Sequence, residues 1–183
     1  MVKKPTEMLE EEHHVIQKIV GVMATLLERL QKGEDMKGAT IKDVVEFMRI
    51  YGDKCHHGKE ETHLFPLLGK RGVPMTGCPV AVLTHEHDKG RALVKQLAEA
   101  GTNYANGNKS AKDNLIKSLQ GLIDLYPNHI WKEDYLLFPM TNKVLSDSDQ
   151  KDLSDKFEAV EKEIGRNVHK RLEKMAERLT SGI

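Results

Sequence analysis

The sequence predicts an all-α fold: an antiparallel up-down four-helix bundle carrying an additional C-terminal helix. Three observations carry this expectation. Apolar residues recur in steps of three and four along most of the 183 residues, the spacing of a buried helix face. The composition, 39% hydrophobic, 31% charged and 5% aromatic, suits a helical protein with solvated outer faces. The third observation is an internal duplication, a feature that points to repeated supersecondary units. The stretch Cys55-His56-His57-Gly58-Lys59-Glu60-Glu61-Thr62-His63-Leu64-Phe65-Pro66 returns as Asn128-His129-Ile130-Trp131-Lys132-Glu133-Asp134-Tyr135-Leu136-Leu137-Phe138-Pro139.

The first helix is expected to start at Pro5-Thr6-Glu7, with Thr6 as its cap. It runs inward through His13, Ile16, Val20, Met23, Leu27 and Leu30 and ends at Gly33. A second helix, capped by Thr40, carries Val45, Met48 or Arg49, Gly52, His56 and Glu60 on one stripe, and Pro66 closes it because proline has no N–H to extend the ladder. Leu67 to Pro79 reads as a crossover loop and hinge. The third helix, from about Val80 to Tyr104, turns Leu83, His87, Gly90, Val94 and Leu97 inward. A fourth follows the cap Ser110 and turns Leu115, Leu122, Leu125, His129, Glu133 and Leu136 inward, with Pro127 expected to kink it. Beyond it, Leu153 to Leu179 form one long apolar stripe. A single domain over 1–183 is expected, with the bundle at about 6–140 and the extra helix at about 146–180.

The duplication reaches further upstream. Glu12-His13 precedes His56 as Glu86-His87 precedes His129, so the pattern of Glu-His, spacer, His-xxx-Glu and Phe-Pro is written twice. Positions i and i+4 share a helix face, so each copy aims an imidazole and a carboxylate at one point. The register favours His56 over His57, His13 over His14, and His87 over His85. Four helices thereby bring His13, His56, Glu60, His87, His129 and Glu133 to a common axis. Two carboxylates on inward stripes would cost several kcal/mol each without a compensating cation. Imidazole and carboxylate donors with few sulfurs suit iron or manganese, and also zinc. Six donors are too many for one tetrahedral zinc, whereas two irons use them all. His169, on the edge of the last stripe, is a candidate for an additional ligand.

Formal net charge is zero, so neither a nucleic acid nor a membrane partner is expected. Only Cys55 and Cys78 occur, too few to staple a fold, and the N-terminal residues lack the apolar run of a signal peptide. A cytoplasmic location is the expectation.

Taken together, Glu12-His13, His56-x3-Glu60-Glu61-x2-Leu64-Phe65-Pro66, Glu86-His87 and His129-x3-Glu133-Asp134-x3-Phe138-Pro139 resemble the hemerythrin-like (HHE cation-binding) domain family over roughly residues 6 to 140. That resemblance implies a four-helix bundle with a non-heme di-iron centre handling dioxygen, peroxide or nitric oxide. The family's ligands then fall on His13, His56, His87 and His129 as terminal donors, with Glu60 and Glu133 as bridges. The implied cofactor is two iron ions, with an oxo or hydroxo bridge as an option and zinc or manganese as alternatives. Oxygen-carrying members have a further histidine one turn from the third one. Here Leu83 and Arg91 hold those places, so that fifth imidazole is expected to be missing, leaving room for an extra ligand such as His169, His57, Glu61 or a tyrosine, and peroxide decomposition is favoured over reversible oxygen carriage. A non-catalytic oxygen or iron sensor, or an iron-buffering module, is the alternative.

Overall fold

The computed structural model describes residues 3–77 and 79–182, and Cys78 lies outside the described residues. The chain forms α1 (Pro5–Gln31), then one long rod built from α2 (Gly38–Phe47), two π-helical segments (Met48–His57 and Glu60–Leu64) and α3 (Phe65–Lys70). After the crossover loop come α4 (Val80–Ala105) and α5 (Ala111–Lys132), the latter continued by a third π segment (Glu133–Leu137) and α6 (Phe138–Val144). The C-terminal part is α7 (Asp147–Ile164) and α8 (Arg166–Ser181). Helix α1 packs on α5, α5 on α4, and α4 on the α2 rod, which returns to α1 and closes the bundle. Among the described residues, no helix is long and apolar enough to cross a membrane.

Several boundaries differ from the sequence expectation for physical reasons. Thr6 is not the cap of α1. Lys4 holds that place, its N–H donating to Glu7 at 2.9 Å, while the Thr6 hydroxyl is buried against Asn142. Pro66 does not close the second helix. It stands in the first turn after a π segment, where a missing N–H is tolerated, and the rod continues to Lys70. Pro139 repeats the arrangement, and α5 runs unbroken across Pro127. The last helix is two helices, because Gly165 adopts φ +102°, a conformation that L side chains rarely take.

The interior is two apolar cores with a polar layer between them. One core joins Ile16, Met23, Phe47, Tyr51, Leu97 and Leu122 to Leu172 and Ala176 of α8. The other joins Leu9, Leu64, Leu83, Leu137 and Phe138 to Leu153 and Phe157 of α7. Both C-terminal helices therefore cover the bundle, one over each core. The layer between the cores holds His13, His56, His57, Glu60, His87, His129 and Glu133, all buried.

Candidate metal centre

Each of the four rods delivers donors to the polar layer between the cores, and the side chains meet there. His13 Nε2 lies 3.0 Å from Glu133 Oε2 and 3.0 Å from His56 Nε2. His56 Nε2 is 3.8 Å from Glu60 Oε2. His87 Nε2 is 3.5 Å from Glu60 and 3.7 Å from Glu133, and His129 Nε2 is 3.3 Å from Glu133. Two donors each about 2.1 Å from one ion at right angles stand about 3.0 Å apart, so these are the separations of groups spaced around cations. The donors fall into overlapping trios: His13, His56 and Glu133; Glu60, His87 and Glu133; His57, His87 and His129.

The last trio brings in His57, which the register sets behind His56. Both are buried and both face inward, with the His57 ring stacked on His87 at 3.8 Å between centroids. In an α-helix, neighbours diverge by 100° and only one of the two could point to the axis. Here they end a π segment, where i→i+5 pairing changes the register. A fifth imidazole is thus present, supplied by the second rod and not by a turn of α4. The duplication hides it, because the position equivalent to His57 is Ile130. The same effect displaces an apolar residue: Leu136, expected inside, is 43% exposed, while Leu137 is fully buried.

His169 does not reach this group. It lies behind His56, its Nε2 3.5 Å from Glu12 Oε1, with its ring against Tyr51. His14 and His85 are exposed, as the register predicts.

A second ring of carboxylates holds the imidazoles. His13 Nδ1 donates to Asp134 at 2.7 Å, His56 Nδ1 to Glu12 at 3.0 Å, His87 Nδ1 to Glu61 at 2.6 Å and His129 Nδ1 to Glu86 at 3.0 Å. Asp53 stands 3.4 Å from His57 Nδ1, beyond a good hydrogen bond. Arg91 clamps Glu61 with both carboxylate contacts at 2.8 Å and reaches Asp53. With Nδ1 committed as donor, each Nε2 turns a lone pair toward the layer's centre, the arrangement carboxylates impose on metal-binding histidines. These partners were legible as the repeated Glu-His and Glu-acid pairs, but sequence did not reveal which helix each would serve. Lys59 was missed: it is fully buried and binds Glu12 at 2.5 Å. Its counterpart Lys132 binds Glu86.

Without a cation, the electrostatics of the layer are adverse. Burial beside Glu133 pushes the Glu60 carboxyl well above its usual range. Burial would do the same to Glu133, but His129, His13 and His87 hold it well below. Burial alone would lower His13, yet its hydrogen bond to Asp134 and the negative charge of Glu133 beside it outweigh burial and raise the imidazole to about 9. His56 drops to about 4, through burial, despite Glu12. His57 falls well below the ordinary value, from burial and the neighbouring His87. Both oxygens of Glu60 and of Glu133, both nitrogens of His57, and Nε2 of His87 and His129 have no hydrogen-bond partner. Unpaired buried groups of this kind are exceptional in folded proteins, and here they all face one another. The residues fit bound metal cations.

Fold and site together define a four-helix-bundle metal-binding protein with a histidine and carboxylate centre. The family model of the hemerythrin HHE cation binding domain matches residues 4–141, and the chain belongs to that family. It is similar to uncharacterized proteins of Mycobacterium bovis and Mycobacterium tuberculosis, 27% identical over 152 residues, covering 83% of this chain and 59% of theirs. It is also similar to a probable iron-sulfur cluster repair protein of Haemophilus influenzae, 30% identical over 122 residues, covering 64% of this chain and 54% of that protein. The chain thus spans between half and three fifths of the length of these relatives.

Proposed function

We propose that this chain is a non-heme di-iron protein that binds a small oxidant, dioxygen or nitric oxide, at an exchangeable position of the centre. His13 and His56 would hold one iron and His57, His87 and His129 the other, with Glu60 and Glu133 spanning both. The observation that carries the reading is the pair of fully buried glutamates, all four oxygens unpartnered, facing the Nε2 atoms of the surrounding imidazoles. Five nitrogens and four carboxylate oxygens are fewer donors than two six-coordinate ions take, which leaves room for exogenous ligands. The absence of sulfur from the set favours iron over zinc, and the similarity to a probable iron-sulfur cluster repair protein of Haemophilus influenzae adds weight in the same direction.

The bound irons would supply reversible electron transfer to a small ligand. The chain's own contribution is exclusion and orientation. Every donor is at most 3% exposed, and Phe65 stacks on His87 while Phe138 stacks on His13. Such packing would favour a diatomic or peroxide over larger substrates. The carboxylates on each Nδ1 fix the tautomer and strengthen each imidazole as a donor. With His57 present, the reason for preferring peroxide decomposition over reversible binding is gone.

Elemental analysis with absorption spectroscopy is the test. Two irons per chain and a near-ultraviolet band that changes on adding dioxygen or nitric oxide, and reverses on removing it, are expected. Zinc without colour would overturn the proposal. Steady peroxide consumption that disappears in folded Glu60→Ala and Glu133→Ala proteins would replace binding with catalysis.

A further inference from the structure

The internal duplication supplies a control within the molecule. In each half, a glutamate accepts from a ligand imidazole and is also bound by a lysine three residues beyond that histidine: Glu12 with His56 and Lys59, Glu86 with His129 and Lys132. In the second half the lysine and glutamate are partly open, with side chains 24% and 16% exposed. In the first half the C-terminal segment closes over them. Glu161 of α7 binds Lys59 at 2.7 Å, Phe157 lies 5.7 Å under the ammonium, and His169 of α8 faces Glu12 Oε1 at 3.5 Å. All these additions act on Glu12 Oε1 or on Lys59, while His56 is bound to Oε2 of the same carboxylate.

From this asymmetry we infer that Glu161 and His169 are positioning residues for the metal centre, setting through Lys59 and Glu12 the donor strength of His56 alone. This rests on the di-iron reading above. A carboxylate that accepts strongly from Nδ1–H pushes electron density onto Nε2. Cations on Oε1 draw charge away from Oε2 and weaken that push. Glu161 shields Glu12 by neutralising Lys59, whereas the His169 ring, with Nε2 3.5 Å from Oε1, places a competing polar edge against the carboxylate. The two residues therefore act with opposite sign on the same imidazole. The iron on the His13 and His56 side is tuned by the C-terminal segment, and its neighbour, served by the uncovered Glu86, is not. By reciprocity, a change of oxidation state at that iron alters how firmly α7 and α8 are held.

The test uses the full chain with Glu161→Gln, His169→Phe and the exposed-site control Glu158→Gln, each alone and combined with Glu12→Gln. In the iron-loaded protein, Glu161→Gln shifts the midpoint potential upward, His169→Phe shifts it downward, and Glu158→Gln leaves it in place. Neither shift survives in the Glu12→Gln background. In the iron-free protein, the His56 Nδ1 proton resonance moves upfield in Glu161→Gln and downfield in His169→Phe, a readout independent of metal. Shifts of the same sign, no shifts, or shifts that persist without the Glu12 carboxylate would overturn the inference. A chain that takes up no iron yet moves the proton resonance in opposite directions would sink the di-iron reading and keep the tuning network.

Discussion

At the scale of single residues, His57 decides how many imidazoles the centre has. It has no well-formed hydrogen bond and lies against both His87 and His129, so its only evident role is to face a cation. Replacing it with alanine should lower bound iron from two toward one per chain, as measured by elemental analysis, whereas His14→Ala and His85→Ala, at exposed positions, leave two. The imidazoles also set the pH response of the metal-free protein, and their signs oppose. His56 falls to about 4 on folding because it is buried, so below its ordinary range the unfolded chain binds the extra proton and stability rises with pH. His13 rises to about 9, burial being outweighed by Asp134 and Glu133, so its contribution is complete below its ordinary value and is lost as pH climbs through about 9. His87 is raised in the same way. Urea unfolding of the metal-free chain should therefore show stability falling both in acid, as His56 and its like must take up protons on unfolding, and toward pH 9, as His13 and His87 lose theirs. Metal ligation requires neutral imidazoles, so iron should abolish the fall on the alkaline side.

At the scale of elements, the π segments explain what the sequence concealed. Glu60, Glu133, His56 and His129 were legible because duplication and i,i+4 spacing both select them, His13 and His87 because the Glu-His pair repeats on an inward stripe, and the apolar stripes of α1, α4 and α5 because their steps of three and four persist. That counting assumes 3.6 residues per turn, and it fails where pairing shifts to i→i+5. His57 and Leu137 are the two residues moved inward by this shift, and Leu136 is moved outward. Nor could periodicity show which neighbouring helix each Glu of a Glu-His pair would serve, since a stripe gives a face and not a partner. The register can be checked by mutation. Leu137→Ala should destabilise by about 2–5 kcal/mol, the usual cost of emptying a packed leucine site. Leu136→Ala should change stability by less than about 0.5 kcal/mol, as surface substitutions do. Thermal melting of the two variants distinguishes the π register from a continuous α-helix, which would give the opposite order.

At the scale of the whole molecule, the bundle is two hydrophobic cores held apart by a layer of buried charged groups that a cation would stabilise. The apolar clusters on either side exclude water, and that exclusion makes Glu60 and Glu133 costly when no ion is present: two carboxylates buried together cannot both ionise cheaply. Metal binding to the folded state alone then contributes directly to folding stability. A variant with both Glu60→Gln and Glu133→Gln removes the adverse charges while nearly preserving shape. It should therefore unfold at a higher temperature than the wild-type chain when both are metal-free, because replacing poorly compensated buried charges is often stabilising. With iron supplied, the order should reverse, since the variant has lost two of the carboxylates that would hold the metal and gains little from it. Calorimetry with and without iron would reveal this crossover. If the double variant were the less stable protein in both conditions, the carboxylates would be serving the packing of the layer, and the layer itself would not be built around metal.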